Sequence, residues 1–299
     1  MHLNFRVGGQ NKVASETRYI LHETPPFSNR LEALPEWLSS CSRLRALFAS
    51  HNQLTTLPAQ LLSAAQLQLV QLSYNRLTQL PAPNRTAHSP LELRELFLQS
   101  NRLSSLPPAF LAAACRLRVL NVSNNALREL WTPGNGVQSL PSRGPDSPKL
   151  EKLFVTANQL GDEAFAALAA FRKLRTLHAA YNALRHLSDA TVASWPDLEE
   201  LVLSGNELGR VPDAVASLRH LRVLRVHSNW LVEAPSLSRM PALRVLDLAQ
   251  NRLCRVDLAA LVPPQLRFLD LAGNPDLHVD ARQFQAYSSR RPLSLVSTI

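Results

Sequence analysis

The sequence predicts an α/β solenoid in which each of many short repeats supplies one strand and one returning segment. Three observations predict it. Leucine supplies 57 of the 299 residues, the pattern L-x-x-L-x-L-x-x-N-x-L recurs through the chain, and eleven asparagines stand in register at spacings of 22 to 33 residues. The pattern is that of a leucine-rich repeat, whose stacked units form a horseshoe with parallel strands on the concave face and short helices or irregular segments on the convex face.

The L-x-L part of each repeat is the strand, and its leucines are expected to point inward and stack on those of neighbouring repeats. The asparagine turns the chain inward, so its amide must bond backbone groups that would otherwise be unpaired. The repeat asparagines are Asn29, Asn52, Asn75, Asn101, Asn125, Asn158, Asn182, Asn206, Asn229, Asn251 and Asn274.

The convex segments follow a Leu-Pro or similar dipeptide in many repeats, as at Leu34-Pro35 and Val211-Pro212. Proline fixes the start of a segment that needs no sheet hydrogen bond. Short helices are predicted over 162–171 and 213–219.

Four segments are predicted from these patterns. Residues 1–28 form an N-terminal segment that is partly disordered and has no clear capping pattern. Residues 29–280 hold about eleven repeats, interrupted by an insertion over 131–148 that is rich in proline, glycine and serine, and residues 281–299 form a C-terminal capping segment.

The strand residue four positions before each asparagine is expected to face solvent on the concave face. Candidate protein-binding residues in this column are Phe48, Phe97, Phe154, His178, Arg225, Asp247 and Asp270. Exposed phenylalanines are poorly hydrated and can anchor a partner, but they can equally pack on their neighbours. The residue two positions before each asparagine is mostly small, which predicts a trough beside this column.

Arg225, Asp247 and Asp270 fall on successive strands. The two carboxylates can hold a cation or share a proton, and the favoured interpretation is a salt-bridge ladder in which Arg225 neutralises Asp247. His178 and His227 are two repeats apart, too far for one metal ion.

The residue seven positions before the asparagine is arginine in seven of ten repeats, which predicts a basic rim along one edge of the concave face. Its candidate binding residues are Arg94, Arg118, Arg175, Arg222, Arg244 and Arg267, with Arg45 as the seventh. Such a rim can bind acidic or phosphorylated segments. The favoured interpretation is a solubilising edge whose methylene stems cover the leucine core.

Composition and motifs argue against several classes of protein. The net charge of +9 is compatible with nucleic-acid binding. The arginine rim accounts for much of this charge, so no nucleic-acid partner is expected. The three cysteines form no C-x-x-C pair, and the N-terminus lacks the apolar core of a signal peptide. Phosphate-binding, hydrolase and zinc-protease motifs are absent, so no catalytic residue, metal or cofactor is predicted for this chain.

Several segments resemble one family beyond the general repeat. They include LEKLFVTANQLGDEAFAAL (150–168), VHSNWL (226–231) and PPQLRFLDLAGNPDLHVDARQF (263–284). Their order and spacing resemble the C-terminal part of the repeat region in the PH domain and leucine-rich repeat protein phosphatases, over about residues 29–299.

This resemblance implies a scaffold that positions kinases such as Akt for dephosphorylation of serine and threonine by a metal-dependent phosphatase domain. The phosphatase domain would begin about where this chain ends, at Ile299, so its metal-binding aspartates have no counterpart here. The alternative is a stand-alone cytosolic adaptor with no phosphatase activity. Either function implies kinases or adaptors as partners, a monomer without a membrane span, and a cytoplasmic location that can extend to the nucleus or the membrane periphery.

Overall fold

A computed structural model describes residues 17–20, 30–82, 91–107, 110–130, 149–278 and 294–296. The predicted insertion at 131–148 lies outside the described residues, as does most of the two predicted terminal segments. The chain divides into two compact units, Met1–Phe154 and Val155–Ile299.

The described residues of unit 1, Met1–Phe154, contain six parallel strands paired in chain order. Its strands are β1 (Thr17–Ile20), β2 (Leu44–Phe48), β3 (Leu69–Gln71), β4 (Glu95–Phe97), β5 (Val119–Asn121) and β6 (Lys152–Phe154). Short helices return the chain between strands, namely 3-10 helices at Glu36–Ser40 and Leu61–Ser63 and helix α1 (Phe110–Ala113).

Unit 2, Val155–Ile299, repeats the arrangement, and the part of it that the structure describes holds six more parallel strands in chain order. They are β7 (Thr176–His178), β8 (Glu200–Val202), β9 (Val223–Arg225), β10 (Val245–Asp247), β11 (Phe268–Asp270) and β12 (Ser294–Val296). The helices are α2 (Asp162–Ala167), α3 (Asp189–Ala193) and α4 (Leu258–Leu261), with 3-10 helices at Leu168–Ala170 and Asp213–Ser217. The predicted leucine-rich repeat solenoid is thereby confirmed.

The leucines of the repeat are buried as predicted. Central strand leucines such as Leu96 and Leu201 have no exposed surface, whereas the residues on either side of them in β4 and β8 are at least partly exposed. This alternation follows from the strand period of two, which sends successive side chains to opposite faces.

The two predicted convex helices are present but shorter than expected. The segment predicted at 162–171 is α-helical over Asp162–Ala167 and continues as a 3-10 helix to Ala170. The segment predicted at 213–219 is a 3-10 helix, Asp213–Ser217, that begins after Pro212. A repeat of about 23 residues leaves little chain for the return, and short runs favour the 3-10 form.

Asp162 ties the start of α2 to the next repeat. Its carboxylate accepts hydrogen bonds from the backbone N–H groups of Arg185 (2.8 Å) and His186 (3.0 Å). Partial burial works to raise the pKa of Asp162, but these two bonds and the His186 side chain outweigh it and lower the pKa below its ordinary value.

The repeat asparagines bond neighbouring repeats together. The Asn206 side chain accepts a hydrogen bond from the Leu184 N–H (3.1 Å) and donates to the carbonyls of Ala179 (3.0 Å) and Leu203 (2.9 Å). The same pattern recurs at Asn75, Asn101, Asn125, Asn182, Asn229, Asn251 and Asn274. The predicted role of the asparagine is therefore confirmed.

No helix in the described part of the chain is long and apolar enough to cross a membrane.

Replacing Asn206 with alanine is expected to destabilise the fold by about 1–3 kcal/mol, because a buried N–H and two buried carbonyls lose their partner. Urea unfolding followed by circular dichroism measures the loss. The matched control is Asn124→Gly, which removes an exposed amide bonded to the Ser100 hydroxyl at a position of positive φ that glycine tolerates. Equal losses in the two variants would contradict the assigned role of Asn206.

Candidate functional site

The strand face of unit 1 presents one partly exposed column of alternating aromatic and polar residues. The register places Phe48 beside Gln71, Gln71 beside Phe97, Phe97 beside Asn121 and Asn121 beside Phe154. All five side chains are partly exposed. The predicted column is thus present in unit 1, with a phenylalanine on every second strand.

The phenylalanines stand on a rigid base. In β4, Phe97 lies between Leu96 and Leu98, which have no exposed surface and belong to the leucine core. Because the backbone of each strand bonds both neighbours, the three rings are held at fixed intervals along the face.

The small residues two positions before the asparagines are buried in some repeats and partly exposed in others. Ser73, Ala180 and Ser204 are buried, and Ser204 keeps only 1% of its surface exposed. At these positions the column lies within the packed structure, so the contact surface consists mainly of the larger side chains beside it.

The strand face of unit 2 continues the sequence column with charged residues. The register places His178 beside Val202, Val202 beside Arg225, Arg225 beside Asp247 and Asp247 beside Asp270. His178 Nε2 lies 3.1 Å from the carboxylate of Glu200, one strand away. The face of unit 2 is therefore suited to polar contacts, whereas that of unit 1 is suited to apolar ones.

Local backbone bonds account for the aspartates of this column. Asp247 accepts a hydrogen bond from the N–H of Ala249 (3.2 Å), and Asp270 accepts one from that of Ala272 (2.9 Å). Asn121 in unit 1 makes the same bond to Ser123 (3.1 Å). A short side chain that bonds the backbone two residues ahead stabilises the turn that follows the strand.

The favoured salt bridge between Arg225 and Asp247 is not formed among the described residues. Burial raises the pKa of Asp247, helped by the charge of Asp270, and outweighs the Ala249 hydrogen bond and the charges of His227 and Arg225. The prediction failed because Arg225 is exposed while Asp247 is half-buried, so the arginine gains more from water than from the carboxylate.

The predicted basic rim is divided by glutamates within its own column. Glu199 lies 3.1 Å from Arg175 and 3.6 Å from Arg222, and Glu151 lies 3.8 Å from Arg118. Arg94, Arg244 and Arg267 are exposed members of the same column. The positive potential of the rim is accordingly local.

From Asn52 onward, the residue directly before the repeat asparagine forms, within each unit, a second outward column that the sequence analysis missed. Ten successive positions adopt a positive φ, namely His51, Tyr74, Ser100, Asn124, Ala157, Tyr181, Gly205, Ser228, Gln250 and Gly273. The His51 and Tyr74 rings stack with centroids 4.4 Å apart, and Tyr181 lies so close to Gly205 that a Cβ there would collide with its ring. The signal was available, since these residues occupy one fixed place in the repeat.

Other groups in the described residues are dispersed. They include no cluster of three or more histidine, cysteine, aspartate or glutamate side chains that can hold a metal ion. In unit 2, an open groove beside α2 and α3 is lined by Asp162, Leu187, Arg210 and Val232 among others.

Comparisons with known proteins agree with the repeat. The family described as Leucine rich repeat matches residues 172–231, and that described as Leucine Rich Repeat matches 92–113. An internalin of Listeria monocytogenes shares the fold, with a TM-score of 0.65, 18% identity, and coverage of 95% of this chain and 83% of the other.

The repeat region is similar to that of the PH domain leucine-rich repeat protein phosphatases. The protein phosphatase PHLPP-like protein of Drosophila melanogaster is 42% identical over 63% of this chain and 19% of its own length. The PH domain leucine-rich repeat-containing protein phosphatase 1 of Homo sapiens is 34% identical over 56% of this chain and 10% of its own length. The chain thus matches less than a fifth of the length of these relatives, all within leucine-rich repeats.

Replacing Asp247 with asparagine is expected to stabilise the protein near pH 7 by less than about 1 kcal/mol, because asparagine keeps the acceptor for Ala249 and removes a half-buried charge. The raised pKa means that the folded state favours the protonated acid. Wild-type stability therefore falls as pH rises from the ordinary value of 3.8 through the folded value, and the advantage of the variant shrinks toward pH 4. Urea unfolding of both proteins at pH 4 and pH 7 measures this, with Asp276→Asn, at an exposed site, as the control. An advantage that grew toward pH 4 would contradict the assignment.

Proposed function

We propose that this chain is a protein-binding scaffold whose principal contact surface is the strand face of unit 1. The observation that carries the proposal is the register of Phe48, Phe97 and Phe154, three partly exposed rings on alternate strands of one sheet. A few buried residues carry most of the binding free energy in protein interfaces, and aromatic residues, phenylalanine included, are enriched at interface cores.

The similarity to the phosphatase relatives supports a more specific role. In this role the repeats position kinases such as Akt so that a metal-dependent serine/threonine phosphatase domain outside this chain can dephosphorylate them in signal transduction. The proposal assigns binding to the repeats and catalysis to that other domain. It places the protein in the cytoplasm, where the kinases act, and takes the repeat chain to be a monomer.

The charged face of unit 2 has a secondary place in this proposal. Arg225 is exposed, and Asp247 and Asp270 already bond their own backbone. Charged contacts across an interface influence the rate and specificity of association more than its affinity. The apolar face is therefore the surface whose loss abolishes binding.

Exchanging Phe97 and Phe154 together for aspartate is expected to weaken binding of the purified kinase Akt at least about thirtyfold, because two desolvated anchors become charges facing the partner. Titration calorimetry with the full chain measures the affinity. Circular dichroism and thermal melting verify that the variant is folded.

The matched control is Tyr74→Asp plus Tyr181→Asp, which places the same two charges on exposed aromatic positions outside the strand face. Both positions have positive φ, which aspartate tolerates. This control is expected to bind as the wild type does. Equal binding by the phenylalanine variant and the wild type would overturn the assigned face. Equal loss of binding in both variants would show that the added negative charge alone causes the loss.

A further inference from the structure

We infer that the strand face of unit 1 binds a proline-rich segment in the polyproline II conformation, lying across the strands, with acidic residues flanking the prolines. The inference rests on the proposed binding function and specifies the chemistry of the partner. Three properties of the face carry it, namely the spacing of its rings, the polar side chains between them and the charge along its edge.

The spacing of the rings is set by the sheet. Phe48, Phe97 and Phe154 lie on β2, β4 and β6, so successive rings are two strands apart. Neighbouring strands are about 4.8 Å apart, which places the rings about 9.6 Å from one another and about 19 Å from first to last.

Polyproline II matches this interval. It has three residues per turn and a rise of about 3.1 Å, so every third side chain faces the same way at intervals of about 9.3 Å. Over three rings the accumulated mismatch is below about 1 Å.

Other conformations fit less well. An extended β-strand presents same-side residues about 6.7 Å apart, which is out of step with the rings. An α-helix presents every seventh residue about 10.5 Å apart, which accumulates about 2 Å of mismatch over three rings and drifts around the helix axis.

The polar residues between the rings favour the same ligand. Gln71 and Asn121 are partly exposed in the same column, each between two phenylalanines. The backbone of a polyproline II segment makes no internal hydrogen bonds, so its carbonyls need donors when they leave water. Side-chain amides supply such donors, whereas a helical ligand has already satisfied its backbone.

The charge of unit 1 predicts the flanking residues. Residues 1–150 hold 15 basic and 8 acidic residues, and Arg94 and Arg118 are exposed on the rim of the same strands. Glu151 lies 3.8 Å from Arg118 and partly offsets its positive charge. Arg94 is therefore the arginine that attracts an acidic group more strongly. Glutamate or aspartate beside the prolines complements this edge.

The test uses the full chain and three capped synthetic peptides, followed by fluorescence anisotropy. The first peptide has leucine at every third position, prolines between the leucines and glutamates at both ends. The second has the same composition with its leucines consecutive. The third is a helical peptide with leucine at every seventh position and the same terminal glutamates.

The first peptide is expected to bind at least about tenfold more tightly than the other two. Phe97→Ala is expected to weaken it at least about tenfold, since a central aromatic anchor is lost. Gln71→Met keeps the size of the side chain and the rings in place, and is expected to weaken the peptide about threefold to tenfold through a lost hydrogen bond. Trp230→Ala, which removes an exposed aromatic side chain in unit 2, is the control and is expected to leave the affinity unchanged.

Equal binding of the first two peptides would overturn the inference, as would tighter binding of the helical peptide or no binding of the first peptide. The chain's own residues 131–148 contain Pro141 and Pro145. If Pro141→Ala plus Pro145→Ala raised the affinity for the first peptide tenfold, residues 131–148 would be the segment that occupies the strand face. That result would overturn the inference of an external partner.

The two proposals fail separately. If the kinase binds through Phe97 and Phe154 but the first peptide does not bind, the scaffold function stands and the polyproline II inference is overturned. If the first peptide binds through Phe97 but the kinase does not depend on this face, the inference stands and the proposed kinase function is overturned.

Discussion

The asparagine ladder is the interaction on which the rest of the structure depends. From Asn75 onward, each buried asparagine satisfies a backbone N–H of the preceding repeat and carbonyls of both repeats, as Asn229 does with Leu208, Leu203 and Val226. One repeat alone cannot supply all the hydrogen-bond partners of its asparagine side chain, because some of them belong to the neighbouring repeat. The ladder therefore joins the repeats in a fixed register, and that register aligns the side chains of each strand face into columns.

The ladder also dictates the backbone beside it. From Asn52 to Asn274, the residue before each repeat asparagine adopts a positive φ, and eight of these ten residues are not glycine. That conformation costs about 1 kcal/mol or more for an ordinary residue, so the asparagine bonds must outweigh it repeat after repeat. Glycine is required at position 205 for a different reason, which is that the Tyr181 ring occupies the space of its Cβ.

The sequence predicted what the repeat determines and failed where individual side chains compete with water. The strands, the buried leucines, the asparagine bonds and the column containing Phe97 follow from a fixed period, so one correct register places them all. The Arg225–Asp247 contact depends on whether the Arg225 guanidinium gains more from hydration or from pairing with a half-buried carboxylate. The spacing of residues in the sequence does not reveal this balance. The burial of Ser204 likewise depends on the packing of its neighbours.

The two strand faces show how one backbone carries two kinds of chemistry. Phe97 and Asp247 occupy the same place in their repeats and the same position in parallel strands, yet one is a partly exposed aromatic ring and the other a carboxylate bonded to its own turn. Because the ladder and the leucine core already specify the fold, the outward position accepts both an apolar ring and a side chain that stabilises its own turn. The interval between outward side chains is nevertheless fixed by the strand spacing, about 4.8 Å. A partner must therefore place its contacting groups at this interval, and the outward residue types decide which partners can bind.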